Sequence, residues 1–363
     1  MKISIDLLCA RAIELLQMLV STPSFSSEEE KTAVLIEDWF KEFDIPYERE
    51  KNNVFAFNKY FDPEKPVLLL NSHHDTVKPN AAYTKNPFEA IIEDEKLFGL
   101  GSNDAGGCLV SLLAVFSFFY EEKHMTHNLI IVASAEEESS GPNGLNSVLP
   151  LLPHIDVAIV GEPTQMQLAI AEKGLVVFEA VVKGTPSHAA HPNGDNAIYK
   201  TVEVLKWFQN YSFDKISDLL GKTKLTVTQI NAGTQHNVVP AQVDLVIDVR
   251  VNDCYSNQEI AGILQKDAPC EIKARSLRLN SSSINKDHPL VQSGLKLGRI
   301  TYGSPTLSDQ AVLSCQSLKL GPGDSTRSHS ADEFIYIDEI KEGVALYIDI
   351  LKGFLLENLT NSE

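Results

Sequence analysis

The stretch Val67-Leu-Leu-Leu70, running directly into Asn71-Ser-His73-His-Asp75-Thr-Val77, decides the fold. Four consecutive apolar residues without alternation predict a strand buried on both faces, the habit of parallel sheets covered by helices. The layout recurs twice. Leu129-Ile-Ile-Val-Ala133 runs into Ser134-Ala-Glu136-Glu137-Glu138, and Val157-Ala-Ile-Val160 into Gly161-Glu162-Pro163. Ligands of open α/β sheets bind in the crevice beyond the carboxyl ends of the strands, so these polar tails share one rim. Asp104 joins them at the entry to an apolar helix pattern, Cys108 to Phe119, inside a loop holding Gly99, Gly101, Gly106 and Gly107. Acids gathered this closely repel one another without a cation. Imidazole and carboxylate donors without cysteine suit a catalytic zinc, cobalt or manganese site.

Outward from that rim, Ser27 and Glu30 have the spacing of a capping box ahead of a helical pattern through Val34, Ile36 and Phe40. A C-terminal helix is predicted with Ile340, Val344, Tyr347, Leu351 and Phe354 along one face. Between these the pattern changes. Leu175–Val182 and Leu225–Ile230 are rich in β-branched residues, Val243–Val249 alternates, and a helical stretch runs from about Asn196 to Gln209. The expected architecture is an α/β domain, residues 1–173 and 286–363, with a mainly parallel central sheet flanked by helices. A smaller α+β module, residues 174–285, is inserted into it.

Composition narrows the function classes. The 363 residues suggest two domains, and 43% hydrophobic content permits sizeable cores. Acidic residues outnumber basic ones 49 to 31, a net charge of −18 that disfavours nucleic-acid binding. A phosphate-cradling role for the glycine-rich loop is weak, because no GxGxxG or Gly-Lys-Ser/Thr occurs and Asp104 would repel an anion. Five scattered cysteines without a CxxC pair fit a reducing compartment. With no signal-peptide pattern and no uninterrupted apolar run long enough to span a bilayer, a cytoplasmic protein without a membrane partner is expected.

Together, His73-x-Asp75, Gly101-x-x-Asp104, Glu137-Glu138, Gly161-Glu162-Pro163 and Gly321-Pro-Gly323 followed by His329 resemble the M20 metallopeptidase and deacylase family, from about residue 10 onward. The resemblance implies a zinc-exopeptidase-like catalytic domain and a ferredoxin-like dimerisation domain. It also implies two divalent metal ions, zinc or else cobalt. His73 and Glu162 would ligate one ion, Glu138 and His329 the other, and Asp104 both. Asp75 would orient the His73 imidazole. Glu137 would act as general base and then acid. Both roles assume that Glu136 aligns with the first acid of the family's Asp-Glu-Glu run, and a one-residue slip would make the pair Glu136 and Glu137.

The inserted module adds Gly184-Thr-Pro-Ser187-His188-Ala-Ala-His191-Pro192, similar to the family segment whose histidine stabilises the oxyanion, in dimeric relatives from the neighbouring subunit. Spacing from Gly184 favours His188 over His191. Asn237 resembles a substrate-contact residue. Arg250 resembles the residue that pairs with a substrate carboxylate, unless Asp248 or Asp253 engages it as a surface ion pair. Backbone N–H groups of Gly321 and Gly323 are candidates for the same carboxylate. Asp104-Ala-Gly-Gly107 departs from the family's Asp-Met-Lys-Gly and looks closest to the acetylornithine deacetylase branch. The implied enzyme is a homodimeric amidohydrolase that removes an N-acyl group from an amino acid. N-acetylornithine, or acetyl- or succinyl-citrulline in arginine biosynthesis, is the leading substrate. A dipeptidase, an aminoacylase and succinyl-diaminopimelate desuccinylase are the enzyme alternatives, and a metal-free binding protein on the same fold the other.

Overall fold

Val67–His73 is a strand with every residue buried. The computed structural model describes residues 3–356. These divide into two compact units, one of residues 3–170, 284–302 and 308–356, the other of residues 171–283 and 303–307. The second unit therefore begins three residues before the expected boundary at 174, ends two before that at 285, and gains a short later segment. Gly303 of that segment lies against the backbone of Leu219, a contact that sequence periodicity does not show.

In the first unit the strand order is Glu48–Glu50, Asn53–Phe57, Asn128–Ser134, Val67–His73, Val157–Val160, Gln316–Lys319, Leu168–Glu172. The middle four run parallel. The flanking strands are antiparallel. Their alignment puts His73 opposite Ser134 and Asn71 opposite Val160, so the three polar tails leave the sheet at one level. The strand Gln316–Lys319 is not foreseen, because only one of its four residues is strongly apolar. Three of the four are nonetheless buried.

Gly107–Phe119 is an apolar helix buried on almost every side, consistent with burial of each Leu, Val or Phe stabilising by about 1.5–3 kcal/mol. Among the described residues only the segment Ser102–Phe119 is long and apolar enough to cross a membrane, and 89% of it is buried inside the protein. Ile337–Leu355 forms the C-terminal helix with Ile340, Val344, Tyr347, Leu351 and Phe354 all buried. The Tyr347 hydroxyl donates to the carbonyl of Leu320.

The helix Glu30–Glu42 forms, but the expected Ser27–Glu30 capping box does not. Ser27 instead takes a left-handed φ of 73°. Its N–H donates to Glu29 Oε1 and its hydroxyl to Glu136 Oε1.

The second unit runs strand–helix–strand–strand–helix–strand: Gly174–Lys183, Ala197–Asn210, Lys224–Ala232, Gln242–Val251, Asn257–Asp267 and Glu271–Ala274. Its sheet order is second, third, first, fourth, all antiparallel, which is the ferredoxin-like arrangement. Val176, Phe178, Val204, Phe208, Ile247 and Leu264 fill its own core.

Candidate metal centre

Three parallel strands and two loops deliver the ligand candidates. His73 ends its strand with 1% exposure. Asp104 lies in the wide turn Ser102–Gly106 that feeds the apolar helix. Gly101 makes that turn possible: its φ is 77°, and a Cβ there would lie 2.5 Å from Thr76 Cγ2. Glu137 and Glu138 follow the Asn128–Ser134 strand, Glu162 follows Val157–Val160, and His329 comes from the loop beyond Gly323.

The His73 ring sets the logic of the site. Its Nδ1 is 3.0 Å from the Asp75 carbonyl oxygen and 3.4 Å from the Asp75 carboxylate, so Nδ1 carries the proton. That leaves Nε2 as a buried lone pair with no hydrogen-bond partner. It faces Asp104 at 3.4 Å, Glu162 at 3.7 Å and Glu137 at 3.9 Å. A lone pair aimed at three carboxylates is repulsive unless a positive charge lies among them. On the other side, His329 Nε2 is 3.1 Å from both Glu138 carboxylate oxygens and 3.5 Å from Asp104. Donor atoms of His73, Asp104 and Glu138 all lie within 4.8 Å of one another. The donor set fits divalent cations, with Asp104 facing both histidines.

Electrostatics agree. Burial alone would favour neutral His73, but the carboxylates of Asp104, Asp75 and Glu137 outweigh it and hold the ring well above its ordinary range. Burial first, then the neighbouring Glu162, Asp309 and Glu138 charges, push Glu137 well up. Burial and Asp104 push Glu162 up to about 8. Its hydrogen bond to Glu138, followed by the Asp104 charge, raises His329 to about 9. Protons thus serve as the positive charge when protein groups stand alone, and a cation takes their place by displacing them.

Glu136 turns away from this cluster. Its φ is 53°. Its carboxylate accepts from the Asn143 backbone and side chain and from Ser27. Of the three adjacent glutamates, only Glu137 and Glu138 face the histidines.

The remaining candidates fare differently. His188 is exposed on a short strand pairing, Ser187–His188 with Val238–Val239, in the second unit. Its Nδ1 accepts from the Ala190 N–H at 3.1 Å, so Nε2 carries the proton. The Asn237 carbonyl accepts from the Ala189 N–H. Arg250 spends its fork on Asp248, at 3.0 and 3.1 Å. In the first unit the Gly321 N–H donates to Thr164 Oγ1, which corrects the expectation that it is free for a substrate. Gly323, with a φ of 88°, lets Asn103 Oδ1 approach where a Cβ would stand.

Residues 69–353 match the model of peptidase family M20/M25/M40. The chain belongs to that family. It is an enzyme that hydrolyses amide bonds. It is 27% identical to an acetylornithine deacetylase of Shigella sonnei, over 94% of this chain and 97% of the relative. Identity to a succinyl-diaminopimelate desuccinylase of Wolbachia pipientis is 25%, over 96% and 94%. A Bacillus subtilis structure described as a dinuclear metal-binding peptidase of the M20 family superposes with a TM-score of 0.73. It is 16% identical and covers 95% of this chain and 98% of that one.

This M20 site also contains buried acids that no sequence pattern flags. Asp309 accepts from Ser134 Oγ at 2.6 Å and is raised to about 6, chiefly by burial. Glu333, 1% exposed, accepts from the backbone N–H groups of Asn103 and Asp104. Burial and then the Asp104 charge raise it to about 8. Both lie in short polar stretches that read as solvated loop.

Proposed function

We propose that this chain is a deacylase that holds two divalent cations, zinc foremost, and removes the N-acyl group of an amino acid. N-acetylornithine is the leading substrate, with acetyl- or succinyl-citrulline as neighbours, which places the enzyme in arginine biosynthesis. The orphaned His73 Nε2 among Asp104, Glu162 and Glu137 carries the metal reading. Near-full-length similarity to a deacetylase and a desuccinylase favours acyl-amino acids over peptides.

His73 and Glu162 would hold one cation, Glu138 and His329 the other, with Asp104 between them. Bound there, divalent cations polarise the amide carbonyl and acidify the attacking water. Glu137 takes the proton of that water and delivers it to the leaving nitrogen. His188 donates from Nε2–H to the oxyanion that develops on the carbonyl, a role its tautomer permits. A homodimer through residues 174–285 is part of the proposal, and so is supply of His188 across it. Mixing His188→Ala with Glu137→Ala chains should then restore turnover, and no restoration argues against the sharing.

Zinc- or cobalt-loaded enzyme should be assayed on acetylornithine, acetylcitrulline, succinylcitrulline, succinyl-diaminopimelate and a dipeptide panel. Acyl-ornithine or acyl-citrulline turnover above the rest supports the assignment. Turnover confined to succinyl-diaminopimelate or to dipeptides replaces it.

A further inference from the structure

Glu333 is fully buried, yet its carboxylate is spent on main chain. Oε1 lies 2.9 Å from the Asn103 nitrogen and 3.0 Å from the Asp104 nitrogen, accepting both N–H groups. Its own carbonyl accepts from the Gly99 N–H at 2.9 Å, fixing the start of the same glycine-rich turn. Glu333 stands four residues beyond His329, so one short segment carries a ligand candidate and grips the backbone of another. The Asn103 side chain braces the loops from the other direction. Its amide donates to the Asp324 carbonyl at 3.0 Å, and its Oδ1 accepts from the Asp324 N–H at 3.0 Å.

We propose that Glu333 is a positioning residue for the metal centre: its carboxylate oxygen clamps the Asn103 and Asp104 N–H groups and so aims the Asp104 carboxylate between His73 and His329. This rests on reading Asp104 as the shared metal ligand. A buried carboxylate beside an acidic site is costly. A neutral residue would avoid the repulsion, but only an oxygen at this reach satisfies two buried N–H groups at once. Partners that orient a ligand usually change metal affinity about 10–100-fold when removed.

The length of the side chain, rather than its charge, is what the geometry requires. Gln keeps an oxygen at the same reach, whereas Asp keeps the charge but is one methylene short. Full-length wild type, Glu333→Gln, Glu333→Asp and Glu333→Ala should be stripped with chelator and titrated with cobalt against a competing chelator. The visible cobalt spectrum and the melting of each stripped protein are recorded alongside. Glu333→Gln should bind within about threefold of wild type with the same spectrum. Glu333→Asp and Glu333→Ala should bind about 10–100-fold more weakly with an altered spectrum. Should Glu333→Ala fail to fold, the Gln and Asp variants still decide. Binding by Glu333→Asp as tight as by Glu333→Gln, or wild-type binding by Glu333→Ala, overturns the clamp while leaving the metal reading intact. A wild-type chain that takes up no cobalt overturns the metal reading itself.

Discussion

The Asp75 carboxylate accepts the backbone N–H of Glu137 at 3.0 Å and that of Glu138 at 3.1 Å, one oxygen each. Ser26 Oγ donates to the second oxygen at 2.7 Å. Asp75 thus does more than face the His73 ring: it pins the turn from which the base and a ligand project. Asp75→Asn puts an amide N–H against these donors while keeping the volume. Metal affinity and turnover should both fall about 10–100-fold, measured by chelator competition and steady-state rates. Unchanged values would mean the turn holds without Asp75.

Glu137 and Glu138 should separate cleanly. Glu137→Ala should cut kcat by about 10²–10⁴ while metal content stays near wild type. Glu138→Ala should lose metal at equal free concentration. Elemental analysis beside kinetics checks both, and metal loss in Glu137→Ala would reverse the roles.

Metal uptake should release protons. His329, raised to about 9, and Glu162, raised to about 8, both hold protons at pH 7 when no cation competes. A cation taking their donor atoms must expel them, so apparent affinity rises with pH up to about 9 and falls in acid. Calorimetry at pH 7 in buffers of different ionisation enthalpy should show the release. Heats independent of buffer would contradict it.

Tyr347→Phe removes a buried hydroxyl from the Leu320 carbonyl, immediately before the Gly321–Gly323 loop. A loss of about 1–3 kcal/mol in urea unfolding is expected. Loss below 0.5 kcal/mol would show that the carbonyl finds another donor.

Much of this was legible in the chain itself, for physical reasons. Val67–Leu70, Leu129–Ala133 and Val157–Val160 are buried on both faces, so each reads as a plain apolar run and its polar tail marks the rim. Gln316–Lys319 lies in the same sheet but three of its four residues are polar, and only its neighbours reveal it. Direction within Glu136–Glu138 is not written in spacing. It follows from the left-handed φ of Glu136, which sends that side chain to Asn143 and Ser27. Ser27 looks like a helix cap because cap and anchor use the same hydroxyl. Gly321 looks like an open donor because its partner, Thr164, is 157 residues away. Glu333 has no signature, since its partners are backbone groups that carry no residue identity.

The most direct test is the metal stoichiometry of the chelator-stripped chain. Equilibrium dialysis against zinc should give two ions per chain, fewer in His73→Ala, with turnover returning as they bind. A stripped chain that takes up no zinc, or turns over equally well without it, would contradict the account.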